Sequence, residues 1–82
     1  MKNLVIDKKI DKIHISEITP DNVIEVVAAG LRVGFIYYYY QYWRFFEFNS
    51  DIEYNPCSTL TLLIERIEGY YRRNEVEFRV FE

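Results

Sequence analysis

The sequence is poor in the residues that build disulfides, zinc sites and flexible segments. It has one cysteine, one histidine, three glycines and two prolines among 82 residues. A lone Cys57 cannot form a disulfide within the chain, and together with His14 it cannot supply the four soft ligands of a structural zinc site. Because half of the residues are hydrophobic, the chain is expected to fold. These features predict one domain, residues 1–82, in the intracellular (cytoplasmic) compartment, with no metal and no cofactor.

Long hydrophobic runs are also missing. No uncharged run exceeds eleven residues, the length of Val33–Trp43, whereas a membrane-spanning helix needs about 20 apolar residues. The segment Met1–Ile10 carries three lysines and no continuous apolar core, so it does not have the pattern of a secretory signal. The sequence therefore predicts no membrane span.

Lysine is absent after residue 12, and the charge is uneven as a result. The formal net charge is −3, and all four lysines precede residue 13; the six arginines after that point face eleven acidic residues. An acidic body repels phosphate backbones. The charge balance therefore disfavours a nucleic-acid partner.

Aromatic residues are abundant and concentrated in one segment. The chain has one tryptophan, eight tyrosines and six phenylalanines, and ten of them lie between residues 35 and 48, which read FIYYYYQYWRFFEF. A domain of this size buries only about 60% of the surface of its unfolded chain. We therefore expect part of this aromatic segment to form a contact surface.

Two segments have the pattern of a helix start. Thr19-Pro20-Asp21 offers a capping hydroxyl, a proline at the first helical position and an acid near the positive end of the helix, and Asn55-Pro56 repeats the first two features. Apolar residues follow at helical spacing. They are Val23, Ile24, Val26, Val27 and Leu31 after the first start, and Leu60, Leu63, Ile64, Ile67 and Tyr71 in a second predicted helix over residues 57–73.

The remaining segments favour strands. Val76–Val80 alternates between apolar and charged residues, Lys12–Ser16 alternates as well, and Leu4–Ile6 is a third short candidate. The aromatic segment favours a strand by composition, with Asn49–Asp51 as a turn into Ile52–Tyr54. The alternative is one long helix over residues 20–45. With the strand, the order predicts an α+β fold: an antiparallel sheet with two helices on one face, of the ferredoxin-like βαββαβ type.

The candidate site follows from the period of a strand. Tyrosine and arginine side chains are typical of binding hot spots. If residues 38 to 44 form one strand, alternate side chains share a face. One face would present Tyr38, Tyr40, Tyr42 and Arg44, which we predict to bind the partner, and the opposite face Tyr37, Tyr39, Gln41 and Trp43.

Catalytic chemistry has little support in the sequence. Cys57 would lie in the first turn of the second predicted helix, where the helix dipole favours a thiolate, and His14 could serve as its base. This pairing is a single coincidence in a chain with one cysteine and one histidine. We therefore predict a protein that is not an enzyme and assign no catalytic and no metal-binding residue.

The sequence favours a small non-enzymatic interaction domain, an inhibitor or accessory protein, that self-associates as a homodimer or binds another protein through an aromatic sheet face. Its size and composition are similar to those of small accessory proteins of viruses and mobile elements. The alternative is binding of single-stranded RNA or DNA. Gly34–Tyr38 loosely resembles the RNP1 strand of RNA-recognition motifs, in which exposed rings stack on bases, although Val33 here separates Arg32 from Gly34.

Overall fold

A computed structural model of the chain describes residues 9–50, 56–71 and 73–81. The elements are β1 (Lys9–Ile10), β2 (Ile13–His14), β3 (Val23–Ala28), β4 (Leu31–Tyr39), β5 (Tyr42–Glu47), α1 (Leu60–Tyr70) and β6 (Val76–Phe81), with short 3₁₀ turns at Ile15–Glu17 and Arg73–Glu75. Four of the strands form an antiparallel sheet with the spatial order β5-β4-β3-β6, and β1 and β2 form a separate two-stranded sheet.

The predicted fold class is wrong, because the first predicted helix is strand β3. Within the described ranges α1 is the only α-helix, so the sheet does not carry two helices and the order is not βαββαβ. Thr19-Pro20-Asp21 begins a turn that is closed when the Asn22 N–H donates to the Thr19 carbonyl at 3.0 Å. Proline suits the second position of such a turn as well as it suits a helix start. The structure also excludes one long helix over residues 20–45.

Strand β3 lies in the middle of the sheet, and its position explains its composition. It pairs with β4 on one side and with β6 on the other, and Ile24–Ala28 are all buried. A central strand whose side chains are buried on both faces reads as a nearly continuous apolar run, which a helix can also show. The β-branched residues of the run favour the strand.

Three two-residue turns connect the hairpins β1–β2, β3–β4 and β4–β5. Both central residues of each turn have positive φ, which is the backbone geometry of a type I′ turn and matches the twist of the flanking strands. The φ values are 46° and 69° at Asp11 and Lys12, 52° and 80° at Ala29 and Gly30, and 49° and 66° at Tyr40 and Gln41. The aromatic segment is therefore a hairpin that turns in its own middle.

The other predicted strands have mixed outcomes. The predicted strand Val76–Val80 is confirmed as β6, and the alternation of Lys12–Ser16 is a strand only at Ile13–His14 before the chain enters a 3₁₀ turn. Leu4–Ile6 and Ile52–Tyr54 lie outside the described residues. A turn at Tyr40–Gln41, which the sequence did not predict, divides the aromatic segment into two strands. The predicted turn Asn49–Asp51 lies partly outside the described residues.

One face of the four-stranded sheet packs against α1 and the β1–β2 hairpin. The Thr59 hydroxyl caps the helix by accepting a hydrogen bond from the Leu62 N–H at 3.3 Å, so α1 starts three residues later than the predicted range 57–73 and ends at Tyr70. No helix in the described ranges has the length and apolarity needed to cross a membrane. The buried core consists of Ile10, Ile24, Val26, Ile36, Trp43, Phe45, Cys57, Leu60, Leu63, Ile64, Ile67, Phe78 and Val80.

Candidate functional site

The sheet has a second face, on the side opposite α1, which we call the open face. Residues that pair directly across neighbouring strands point to the same side of a sheet. Ile36 pairs with Phe45 in the core, and the adjacent pairs Phe35–Phe46 and Tyr37–Arg44 therefore point away from α1. The open face consists of Val23, Glu25, Val27, Phe35, Tyr37, Tyr39, Tyr42, Arg44, Phe46, Glu77, Arg79 and Phe81, together with Arg32 and Phe48, which contact it.

Three phenylalanine rings form a cluster on the open face near the end of β5. The ring centroids of Phe35 and Phe46 are 5.3 Å apart with nearly parallel planes, and Phe48 lies 6.0 Å from Phe35 and 6.1 Å from Phe46. Phe46 and Phe48 are 46% and 47% exposed. The rings hold one another in place, so a partner can cover them with little loss of side-chain entropy.

Three tyrosines form a second exposed group at the tip of the β4–β5 hairpin. Tyr39, Tyr40 and Tyr42 are 57%, 73% and 44% exposed, and the rings of Tyr39 and Tyr40 meet edge to face at 4.5 Å. Arg44 donates from Nε to the Tyr39 carbonyl at 3.0 Å and lies 5.9 Å from the centre of the Tyr39 ring. The guanidinium group is therefore held against this tip.

The charged side chains of the open face are arranged in pairs. Arg32 Nε lies 3.1 Å from Glu25 Oε2, and Arg79 donates to Glu77 at 2.9 Å. Glu25 is only 7% exposed, so the Arg32 contact compensates a carboxylate that has lost most of its water. The two pairs allow the face to meet an apolar surface without leaving either glutamate uncompensated.

A register shift brings Arg32 onto this face. Val26 pairs with Gly34, whereas Val27 pairs with Arg32, so β4 has one extra residue at Val33. With the extra residue, Arg32 and Gly34 point to opposite sides of the sheet although they are two residues apart. Strict alternation along β4 would have placed Val33 on the open face instead, and the sequence carries no signal for the bulge.

The structure divides the predicted binding residues between different locations. Tyr42 and Arg44 lie on the open face, as do Tyr37 and Tyr39 of the opposite predicted set. Tyr38 pairs with Trp43 on the core side, with ring centroids 5.2 Å apart. Tyr40 and Gln41 form the turn. Neither predicted set shares one face. After the turn at residues 40–41, the even-numbered residues point to the side that the odd-numbered residues occupied before it. Their role in binding a partner stays a prediction.

Several residues of the open face were missed by sequence reasoning. Phe46 and Phe48 alternate at the end of the aromatic segment, and Phe81 continues the alternation of Glu77 and Arg79 along β6. These alternations were visible in the sequence. The missing information was which strand lay beside which, since the order β5-β4-β3-β6 brings Phe35 next to Phe46.

His14 lies in β2, and Cys57 lies in the segment before α1. Cys57 is 2% exposed and lies before α1, where it makes a backbone bridge with Trp43 through hydrogen bonds of 2.8 and 3.0 Å. The prediction that it lies in the first helical turn is therefore wrong. His14 Nδ1 lies 2.8 Å from Ser16 Oγ and accepts a hydrogen bond from the Ser16 N–H at 3.2 Å. No cluster of three metal-ligating side chains occurs in residues 9–50, 56–71 and 73–81.

One ionisable group links the helix to the sheet. The Tyr71 hydroxyl, just after α1, donates a hydrogen bond to Glu47 Oε2 at the end of β5. Burial raises the pKa of Tyr71 far above its ordinary value, and the hydrogen bond and negative charge of Glu47 raise it further. This contact lies on the core side and anchors the chain after α1 to the strand that carries Phe46.

Comparison with known proteins finds no family model, no curated protein and no solved structure that matches this chain. Its function is therefore inferred from the chain's own residues.

Proposed function

We propose that this chain is a small non-enzymatic interaction domain that binds another protein surface through the open face. The observation that carries the proposal is the exposure of the aromatic rings: Phe46, Phe48, Tyr39, Tyr42 and Phe81 are each exposed by between 44% and 57%. Contiguous exposed aromatic surface on a folded domain is typical of an interaction site. Of the binding residues expected from the sequence, Tyr42 and Arg44 remain in this proposed site, and Tyr38 does not.

The composition of the open face supports a protein partner. Most of its exposed side chains are phenylalanine, tyrosine and arginine, the residue types enriched in protein interfaces, and none is a lysine. The exposed Glu77 is paired with Arg79. Two of its three arginines are already paired with glutamates. Such a face is therefore more complementary to a protein surface with an apolar centre than to a row of phosphates.

The cellular setting of the proposal follows from the same residues. We propose an intracellular protein, because its one cysteine, Cys57, is a buried thiol in the core and takes part in no disulfide within the chain. Its proposed role is that of an accessory protein that blocks or bridges a partner, because this role requires a binding face and no catalytic site.

Photo-crosslinking from a chosen position tests the proposal. The photoreactive residue p-benzoylphenylalanine is placed at Phe48 on the open face, or at Leu62, which is 38% exposed on α1, as the matched control. We expect protein adducts from position 48 and not from position 62 when the full chain is irradiated in cells. Equal labelling from both positions, or no labelling from position 48, contradicts the proposal.

A second candidate function is binding of single-stranded nucleic acid. The observation that favours it is the placement of exposed rings on a four-stranded antiparallel sheet, a geometry on which bases can stack. Titration of labelled oligo(dT) and oligo(U) at two salt concentrations tests it. Binding that weakens with salt and disappears when Arg32 and Arg44 are replaced by glutamine supports this candidate, and the absence of binding at low salt rejects it.

A further inference from the structure

We infer that the occupant of the open face is a second copy of this chain, packed sheet against sheet about a two-fold axis that runs parallel to the strands. The inference rests on the proposed function and names its partner. It is carried by the area of the face, its place on a four-stranded sheet and the order of charges and rings across the four strands.

The exposed area suits a dimer of this size. A phenylalanine or tyrosine side chain buries roughly 200 Å² when it is fully covered. Five rings that are each about half exposed (Tyr39, Tyr42, Phe46, Phe48 and Phe81) therefore offer on the order of 500 Å² of apolar surface. A stable interface buries about 800 Å² on each partner. The arginines and glutamates around the rings can supply the remainder.

The geometry of the face is compatible with a copy of itself. Two sheets pack face to face at a separation of about 10 Å, with side chains from both filling the space between them. The open face belongs to four adjacent strands, and its central carboxylate, Glu25, is already compensated by Arg32. Each sheet can therefore bury the rings of the other without burying an uncompensated acid at its centre.

The order of residues across the sheet selects the axis. One row crosses all four strands in the order Arg79, Glu25, Phe35 and Phe46. A two-fold axis perpendicular to the strands would place each strand over its own copy. An axis of this kind that passes through the row would place Arg79 over Arg79 of the second copy. An axis parallel to the strands reverses the row and places Arg79 over Phe46 of the second copy, twice in each dimer.

The pairing of Arg79 with Phe46 is favourable in its own right. A guanidinium group over an aromatic face is attracted by the electrons of the ring, and the attraction grows when the pair loses water. Arg79 and Phe46 have exposed side chains, at 54% and 46%, so both are accessible to a partner. The axis parallel to the strands therefore replaces a repulsion by two attractions.

Sedimentation velocity of the full chain tests the inference over a concentration series from nanomolar to high micromolar. The parent chain is compared with Phe46→Lys, Phe46→Glu and the control Leu62→Lys. We expect a dimer of the 10.0 kDa chain that Leu62→Lys leaves intact. Both Phe46 variants should weaken it. The lysine should weaken it about threefold more than the glutamate. Lysine repels the Arg79 guanidinium of the second copy, whereas glutamate can accept from the donors of Arg79 other than the one that Glu77 engages.

The ordering of the two Phe46 variants is the decisive readout. Both remove the same ring from the same edge strand, so a loss of fold stability affects them alike, and near-ultraviolet circular dichroism checks that each is folded. Equal weakening by lysine and glutamate, or a weaker dimer with Leu62→Lys, overturns the inferred arrangement.

The two experiments distinguish a failure of the inferred dimer from a failure of the proposed interaction face. A monomer at every concentration overturns the dimer, and foreign adducts from position 48 in the photo-crosslinking experiment would then still support an interaction face. A dimer that no open-face variant weakens, combined with no adducts from position 48, overturns both.

Discussion

Gly34 is the position at which one added methyl group should do the most damage. A Cβ built on Gly34 would lie 2.0 Å from the Phe46 carbonyl oxygen and 2.9 Å from Cε1 of the Phe45 ring. The first of these atoms is backbone, so it can retreat only if strand β5 moves. Gly34 pairs with Glu47 in the register, and a separation of the strands there breaks the β4–β5 pairing beside the phenylalanine cluster.

The cost of Gly34→Ala can be set against the whole stability of the domain. The β5 backbone has to move by about 1 Å before the contact becomes tolerable, and overpacking of this kind costs about 3 kcal/mol or more. A domain of 82 residues is stable by about 4–12 kcal/mol. The substitution should therefore lower the midpoint of thermal unfolding by roughly 10–20 °C.

The other two glycines provide matched controls, because the same chemical change should have different effects there. Gly69 lies in α1 with open space where an added methyl group would lie, so Gly69→Ala should stabilise the domain by about 0.5–1 kcal/mol. Gly30 also has open space but a φ of 80°, so Gly30→Ala should cost about 1 kcal/mol from the backbone alone. Chemical denaturation with urea measures all three variants.

The order of stability is the result that would refute this reasoning. We expect Gly69→Ala to be the most stable variant, followed by Gly30→Ala and then Gly34→Ala. If Gly34→Ala unfolds at the same urea concentration as the parent, strands β4 and β5 do not approach closely at this position, and the register that places Phe46 on the open face loses its support.

Three further predictions concern the turn, the helix contact and the cysteine. Replacing Tyr40–Gln41 by Asn-Gly should raise the free energy of unfolding by about 1–2 kcal/mol, because both residues have positive φ; an unchanged urea midpoint contradicts this. Tyr71→Phe should cost about 1 kcal/mol near neutral pH. Because the pKa of Tyr71 is raised above 10.0, this contribution is complete below that pH and is lost as the pH rises above it, where the unfolded chain ionises first. Thermal melts should therefore show the gap between parent and variant closing at alkaline pH, and a constant gap contradicts the contact. Buried Cys57 should react slowly with iodoacetamide in the native protein and rapidly in urea; rapid native alkylation contradicts its burial.

The sequence predicted the second helix and the last strand correctly but not the first helix. The stripe of Leu60, Leu63, Ile64 and Ile67 has only the helical period, so its structure was determined locally. Residues 23–28 are apolar at nearly every position, and this pattern fits a buried central strand and a buried helix equally well. The choice between them depends on the flanking strands β4 and β6, which the local pattern does not reveal.

The candidate site was predicted in composition but not in geometry. The aromatic content of residues 35–48 indicated a contact surface, and strand propensity identified the backbone. The turn at Tyr40–Gln41 has neither glycine nor asparagine, the residues that normally mark a type I′ turn. Without that signal the strand was continued through the turn, and the faces were assigned incorrectly on either side of it.

The strained turn also explains how one aromatic segment can supply both a core and an exposed aromatic face. Because side chains alternate along a strand, Phe45 is 2% exposed in the core while its neighbour Phe46 is 46% exposed on the open face. The turn returns the chain so that Phe35 and Phe46 meet on one side, and Ile36 and Phe45 meet on the other. A single continuous strand would place the same rings on two faces without bringing either set together. The positive φ of Tyr40 and Gln41 therefore costs local stability, and in return it gathers the phenylalanine cluster on which the proposed interaction depends.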